Sequence, residues 1–226
     1  KEAFEQALLK YKFGDIVGAA LHAAFKTTVG LTQAIVGKIV AWLKNLNAGV
    51  INCAVNSLFN LLRQLGNTTV TIGELVEKAI LIDILTGVLT TEGQHPTAVG
   101  STLYLSMYSL LAAAKLKNVD LTGIHTNLAA MMDRGPFIAR LTTNNGHFVV
   151  VKEITATSVT YIDDGVEKTV SRDAFKAMWD GNALVPDANL PDNPLNDPAI
   201  YTRLSPDRMR QLLGAGNDYT MPQDWD

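Results

Sequence analysis

The sequence predicts an α+β protein in which helices come first and an antiparallel sheet follows. Three observations carry that expectation. Between Asn52 and Asp133 apolar residues recur at helical spacing, with capping residues ahead of the runs. From Phe137 onward the apolar runs shorten, fill with Val, Ile, Phe and Tyr, and are separated by turns of Gly, Asn and Asp. The chain has 226 residues, 47% of them apolar and 18% charged, so there is ample material for a core in one domain with extensions, or in two small ones.

The elements follow in order. Residues 2–45 read as two or three helices; Gly18, Ala19, Ala20, Ala23 and Ala24 permit close contacts, and Ile35, Ile39, Trp42 and Leu43 recur at helical spacing. They are expected to pack as an extension on the main domain. Lys26, Gln33 and Lys38 interrupt the longest apolar stretch, which leaves nothing near the roughly 18 uninterrupted apolar residues of a membrane span. The chain starts at Lys1 without a signal-peptide pattern, as an excised or processed piece would. Asn52 then caps a helix whose Val55, Leu58, Phe59, Leu62 and Leu65 form one apolar face, and Gly66 stops it. Thr71 and Glu74 stand at capping-box spacing and open a helix to about Leu85. Gly87 to Gly100, with Gln94-His95-Pro96, reads as a loop. Further helices are expected from about Thr102 to Lys117 and from Ile124 to Asp133, the second stopped by Gly135-Pro136.

Strands are expected at Phe137–Leu141, His147–Ile154 and Ser158–Asp163, and a fourth at Val166–Val170 after the Asp164-Gly165 turn. Ser171 caps a short helix that presents Phe175, Met178 and Trp179. Pro186, Pro191, Pro194 and Pro198 make the next segment extended, and Ser205-Pro206 starts a last helix ending at Gly214. No internal repeat is visible. The chain divides into a helical extension (1–46), a main domain (47–186) and a proline-rich tail with a short helix (187–226).

Charge and cysteine usage exclude several classes. A net charge of −3 without a dense basic run argues against nucleic acid. A single cysteine excludes an internal disulfide and a multi-cysteine zinc site.

That cysteine carries the chemistry. Cys53 falls in the first turn of its helix, where unpaired N–H groups and the helix dipole favour the thiolate. A cysteine nucleophile needs a proton acceptor and a third group that orients it. His147 is the best base, because it stands at the head of a rigid strand that can aim it. His22 lies on an alanine-rich helix and His125 early in a polar one, while His95 sits in a loop as a weaker alternative. Asp163 ends the next strand, where a hairpin return brings it to the same sheet edge; Asp164 should point the other way. The bland alternatives are a buried apolar thiol for Cys53 and turn residues for both aspartates. For an oxyanion hole the Cys53 N–H is one donor and the upstream amide of Asn47 the other, with Asn45 and Asn52 as rivals.

At these residues the chain resembles papain-like bacteriocin-processing (double-glycine leader) peptidases. Cys53 with Leu58, Phe59, Leu62 and Gly66 is similar to their nucleophile segment. Arg134-Gly135-Pro136-Phe137-Ile138-Ala139, then Gly146-His147-Phe148-Val149-Val150, is similar to their histidine segment, and the strand ending in Asp163, with Phe175 and Trp179, to their last part. The resemblance spans residues 47–185 and implies a papain-like fold with a Cys53, His147, Asp163 triad. Ala54 and Asn52 replace the family's glycine and acidic residue, Asn47 its oxyanion glutamine, and Asp164 its proline. Asn52-Cys53-Ala54 is also similar to papain-fold domains of bacterial toxins, some of them deamidases.

The expected activity is therefore cysteine peptidase, without metal or other cofactor. The substrate would be a protein or peptide, processed or released as part of a larger bacterial protein that is secreted or exported, or attacked in a target cell. The rivals are a deamidase or acyl transferase with the same triad, and a papain-like binding module without activity.

Overall fold

A computed structural model describes residues 53–86, 88 and 104–215. The N-terminal extension with His22, then Asn45, Asn47, Asn52 and the stretch 89–103 with His95, lie outside the described residues.

Helix α1 is described over Cys53–Gln64. Its buried stripe is Ala54, Val55, Leu58, Leu61 and Leu62; Phe59 is half-buried and Leu65 exposed, so the apolar face is turned slightly from the one expected. Gly66 ends it at φ 86°, with Asn67 N–H donating to Leu62 O at 2.9 Å. The capping box forms at helix α2 (Ile72–Leu85): Glu74 N–H donates to Thr71 Oγ1 at 3.3 Å, and Thr71 N–H to Glu74 Oε2 at 3.4 Å.

The expected helix from Thr102 begins later. Residues Tyr104–Ser106 form a short strand, β1, and α3 runs Met107–Lys115 with Ser106 as its cap. The expected helix Ile124–Asp133 is absent. Strand β2 (Leu121–Thr126) takes its first residues, because burial of Leu121 and Ile124 between two neighbouring strands outweighs local helical spacing. The remainder is a turn, in which Asn127 Oδ1 accepts from the N–H groups of Ala129 and Ala130, both at 3.0 Å.

Strands β3 (Phe137–Leu141), β4 (His147–Ile154), β5 (Ser158–Asp163) and β6 (Val166–Ser171) fall where the sequence places them, and α4 (Arg172–Met178) follows its Ser171 cap. Strand β7 (Trp179–Pro186) was not expected. Its Trp-Asp-Gly-Asn start looks like a turn, yet it pairs with both β2 and β3. Gly181 makes this possible: φ is 81°, and a Cβ there would lie 2.6 Å from the His125 ring. Strand β8 (Tyr201–Arg203), helix α5 (Pro206–Gln211) and strand β9 (Leu213–Ala215) complete the described chain. The last helix is thus shorter than expected.

One antiparallel sheet runs β6-β5-β4-β3-β7-β2-β8, and β1 pairs with β9 beside it. Helices α1–α3 cover the face that carries Ile138, Phe148, Val150, Ile162 and Leu184. The opposite face packs Phe137, Val149, Val151 and Tyr161 against Phe175 and Trp179. Residues expected to form a separate tail are part of this body: β8 extends the sheet, and Met209 and Leu212 join the core of α1.

Candidate active site

Two clamps fix α1 to the sheet one turn after Cys53. Ser57 Oγ–H donates to Phe148 O at 2.8 Å, and Asn56 Nδ2–H donates to Asp164 Oδ1 at 3.3 Å. Asn56 is held in turn by Asn60, 3.1 Å away. Each clamp lands on the residue that follows His147 or Asp163. The helix that carries Cys53 is thereby registered against the segments that carry His147 and Asp163. Asp164 turns toward α1 at φ 47°, within the β5–β6 turn.

The hairpin register brings His147 and Asp163 together. Val150 pairs with Ile162 and Val151 with Tyr161, so the head of β4 meets the end of β5. His147 Nε2 lies 2.6 Å from Asp163 Oδ1, which fixes the imidazole with Nε2–H donating. The other ring nitrogen, Nδ1, is buried and has no conventional hydrogen-bond partner. The Cys53 thiol is the group that interacts with the imidazole besides Asp163. Cys53 is 1% exposed and His147 4%.

Burial opposes a charge on His147. The Asp163 hydrogen bond and the adjacent Cys53 outweigh that penalty and raise its pKa to about 10. The His147 bond in turn lowers Asp163 to about 2 against its own desolvation, with help from Lys168. The imidazole is thus kept protonated beside the Cys53 side chain.

Lys168 is a site residue the sequence reading missed. Its Nζ–H donates to Asp163 Oδ2 at 2.7 Å, so the carboxylate is gripped from both sides. The signal was present: across the Asp164-Gly165 turn, Asp163 pairs with Val166, and Lys168 lies two residues on along the same face. We expect Lys168→Gln to cost about two- to fivefold in kcat/KM at low salt, since the ammonium is half exposed. It should also move the acid limb of the rate profile upward, because Asp163 then protonates more readily. A variant with an unchanged profile would make Lys168 merely structural.

Among the described residues, one trio of possible metal ligands has its ligand atoms within 4.8 Å of one another: His147, Asp163 and Asp164. A cation there would break the His147–Asp163 bond and face the Lys168 ammonium, so the trio suits proton handling better than ligation. His125, expected on a helix, is an exposed residue of β2. No described helix is long and apolar enough to cross a membrane.

In structure the chain is similar to a double glycine motif protease from an AMS/PCAT transporter, solved in complex with the leader peptide. The two share 18% identity over 59% of this chain and 81% of that one, with a TM-score of 0.43. It is likewise similar to the peptidase domain of Streptococcus ComA, a bi-functional ABC transporter involved in a quorum sensing pathway, at 18% identity over 60% and 91% of the two chains, with a TM-score of 0.44. No curated protein matches by sequence. Residues 101–190, which carry His147 and Asp163, match the Peptidase C39 family.

Proposed function

We propose that Cys53, His147 and Asp163 act as a triad that hydrolyses a peptide bond in a segment of a larger or exported bacterial protein. The observation that carries this is the imidazole bridge: Nε2 is held by Asp163 while the ring meets the thiol at the start of α1. The Cys53 thiolate attacks the carbonyl carbon, and His147 gives its proton to the leaving amine. Water then hydrolyses the thioester. Asp163 keeps the imidazole oriented and stabilises its charge. The developing oxyanion faces the Cys53 N–H at the helix start, with Asn47 as second donor.

Mass mapping of a mixture of synthetic peptides after incubation tests the reaction. Cleaved chains that disappear on thiol alkylation support it. An amide-to-acid mass gain without chain cleavage would instead identify a deamidase. The buried thiol favours one further reading, an inactive binding module. A Cys53 that iodoacetamide does not modify in the folded protein would establish that reading.

A further inference from the structure

Helix α1 buries two polar side chains in an otherwise apolar stripe. Asn56 and Ser57 are both buried, between Val55 and Leu58. They stand three and four residues after Cys53, so all three share one face of the helix. A buried amide or hydroxyl persists where it has partners, and both partners here lie beside the site. Ser57 is tied to the Phe148 carbonyl and Asn56 to the Asp164 carboxylate.

A helix held at one point can still roll about its axis, and a second point on another element removes that freedom. Ser57 supplies the first point on β4, and Asn56 the second at the β5–β6 turn. Asn60 Nδ2–H donates to Asn56 Oδ1, which turns the Asn56 Nδ2–H group toward Asp164. The turn itself does not require an acceptor there. Asp164 and Gly165 both have positive φ, 47° and 81°, and Asn or Gly meets that demand as readily as Asp. Asp163, one residue earlier, is taken up by His147 and Lys168. Two consecutive carboxylates therefore have separate partners, one the imidazole and one the helix that carries Cys53.

We propose that Asp164 is a positioning residue: through Asn56 it fixes the roll of α1, and so the alignment of the Cys53 thiol with His147. The proposal rests on the Cys53–His147–Asp163 reading. Asp164 acts as a hydrogen-bond acceptor, not as a charge. The distinction matters because an Asp164 oxygen also lies within 4.8 Å of a His147 ring nitrogen and an Asp163 oxygen.

Steady-state cleavage of a synthetic peptide by the whole chain, with a thermal melt of each variant, tests this. Asp164→Gly keeps the turn and removes the acceptor. Its kcat should fall about tenfold with KM within about twofold, because alignment acts on the chemical step. Asp164→Asn removes the charge but keeps an oxygen for Asn56, and should recover most of that loss. Asn56→Asp sets two carboxylates against each other and should cost at least as much as Asp164→Gly. Combined with Asp164→Asn, whose amide can donate across the same gap, it should regain activity. Asp164→Gly with a lower melting temperature but wild-type kcat would make the contact merely structural. Asp164→Asn as slow as Asp164→Gly would make the charge the active feature. Either result overturns the proposal and leaves the triad reading standing. A wild-type chain that cleaves no peptide overturns both.

Discussion

His147→Ala lowers kcat/KM for peptide hydrolysis by about three orders of magnitude, and adding Cys53→Ala costs little more. Proton transfer by a positioned histidine contributes roughly 10²–10⁴-fold, and residues that act in series are not additive. Asp163→Asn should cost less, about tenfold to a hundredfold, because Asp163 orients the imidazole and stabilises its charge without moving the proton. The pH dependence follows from the two shifted groups. The pKa of His147 is raised to about 10, above the ordinary value near 6.5. Its contribution to stability is therefore complete below about pH 6.5 and is lost as pH rises toward 10. Asp163 is held down to about 2, so its share is complete above about pH 4 and fades only in strong acid. Initial rates and thermal melts of the variants from pH 4 to 10 check both statements. Near-wild-type rates in His147→Ala, with activity lost in His95→Ala, would mean that the base is misassigned.

Asp83→Ala should destabilise the fold by about 3 kcal/mol, the largest effect expected away from the triad. Asp83 is 0% exposed, and its carboxylate accepts from Ser106 N–H at 2.7 Å and from Ser106 Oγ–H at 2.5 Å. Ser106 in turn caps α3 by accepting from Ser109 N–H at 3.1 Å, so one carboxylate secures α2, β1 and the start of α3 together. Truncation leaves a buried amide and a buried hydroxyl without their acceptor. Burial pushes the Asp83 carboxyl up to about 6 although the Ser106 bonds pull the other way. The folded chain then holds a proton that the unfolded chain releases from about pH 4. Stability should fall on the order of 3 kcal/mol as pH rises from about 4 to about 6, and level off above. Asp83→Asn keeps the acceptor for Ser106 N–H, can donate to its hydroxyl, and should abolish that slope. Urea melts at pH 4 and pH 7 measure it; an Asn variant with the wild-type slope would place the titrating group elsewhere.

The placement of Cys53, His147 and Asp163 was largely legible in the sequence, for a local reason. Cys53 at a helix start, His147 heading an apolar strand and Asp163 before a two-residue turn are each fixed by neighbours a few residues away. Period-two runs and an Asp-Gly turn set the β4–β6 register, which carries His147 to Asp163 with no long-range information. Lys168 was within reach of the same register argument.

What the tertiary structure alone decided is non-local. Strand β2 carries helical spacing and β7 opens like a turn, but each forms because a partner from far along the chain buries it. The clamps from Asn56 and Ser57 join residues 108 and 91 positions apart, and no pattern within α1 announces them. The same holds for β9. Its three residues have no periodicity to read, and only their packing on Phe148 and Gly146 sets them beside the histidine. Local spacing determined which groups could do chemistry, because caps, turns and hairpin registers act over short distances. Burial of distant surfaces against one another determined the order of strands, the clamps that tie α1 to β4 and to the β5–β6 turn, and the packing of β9 beside His147.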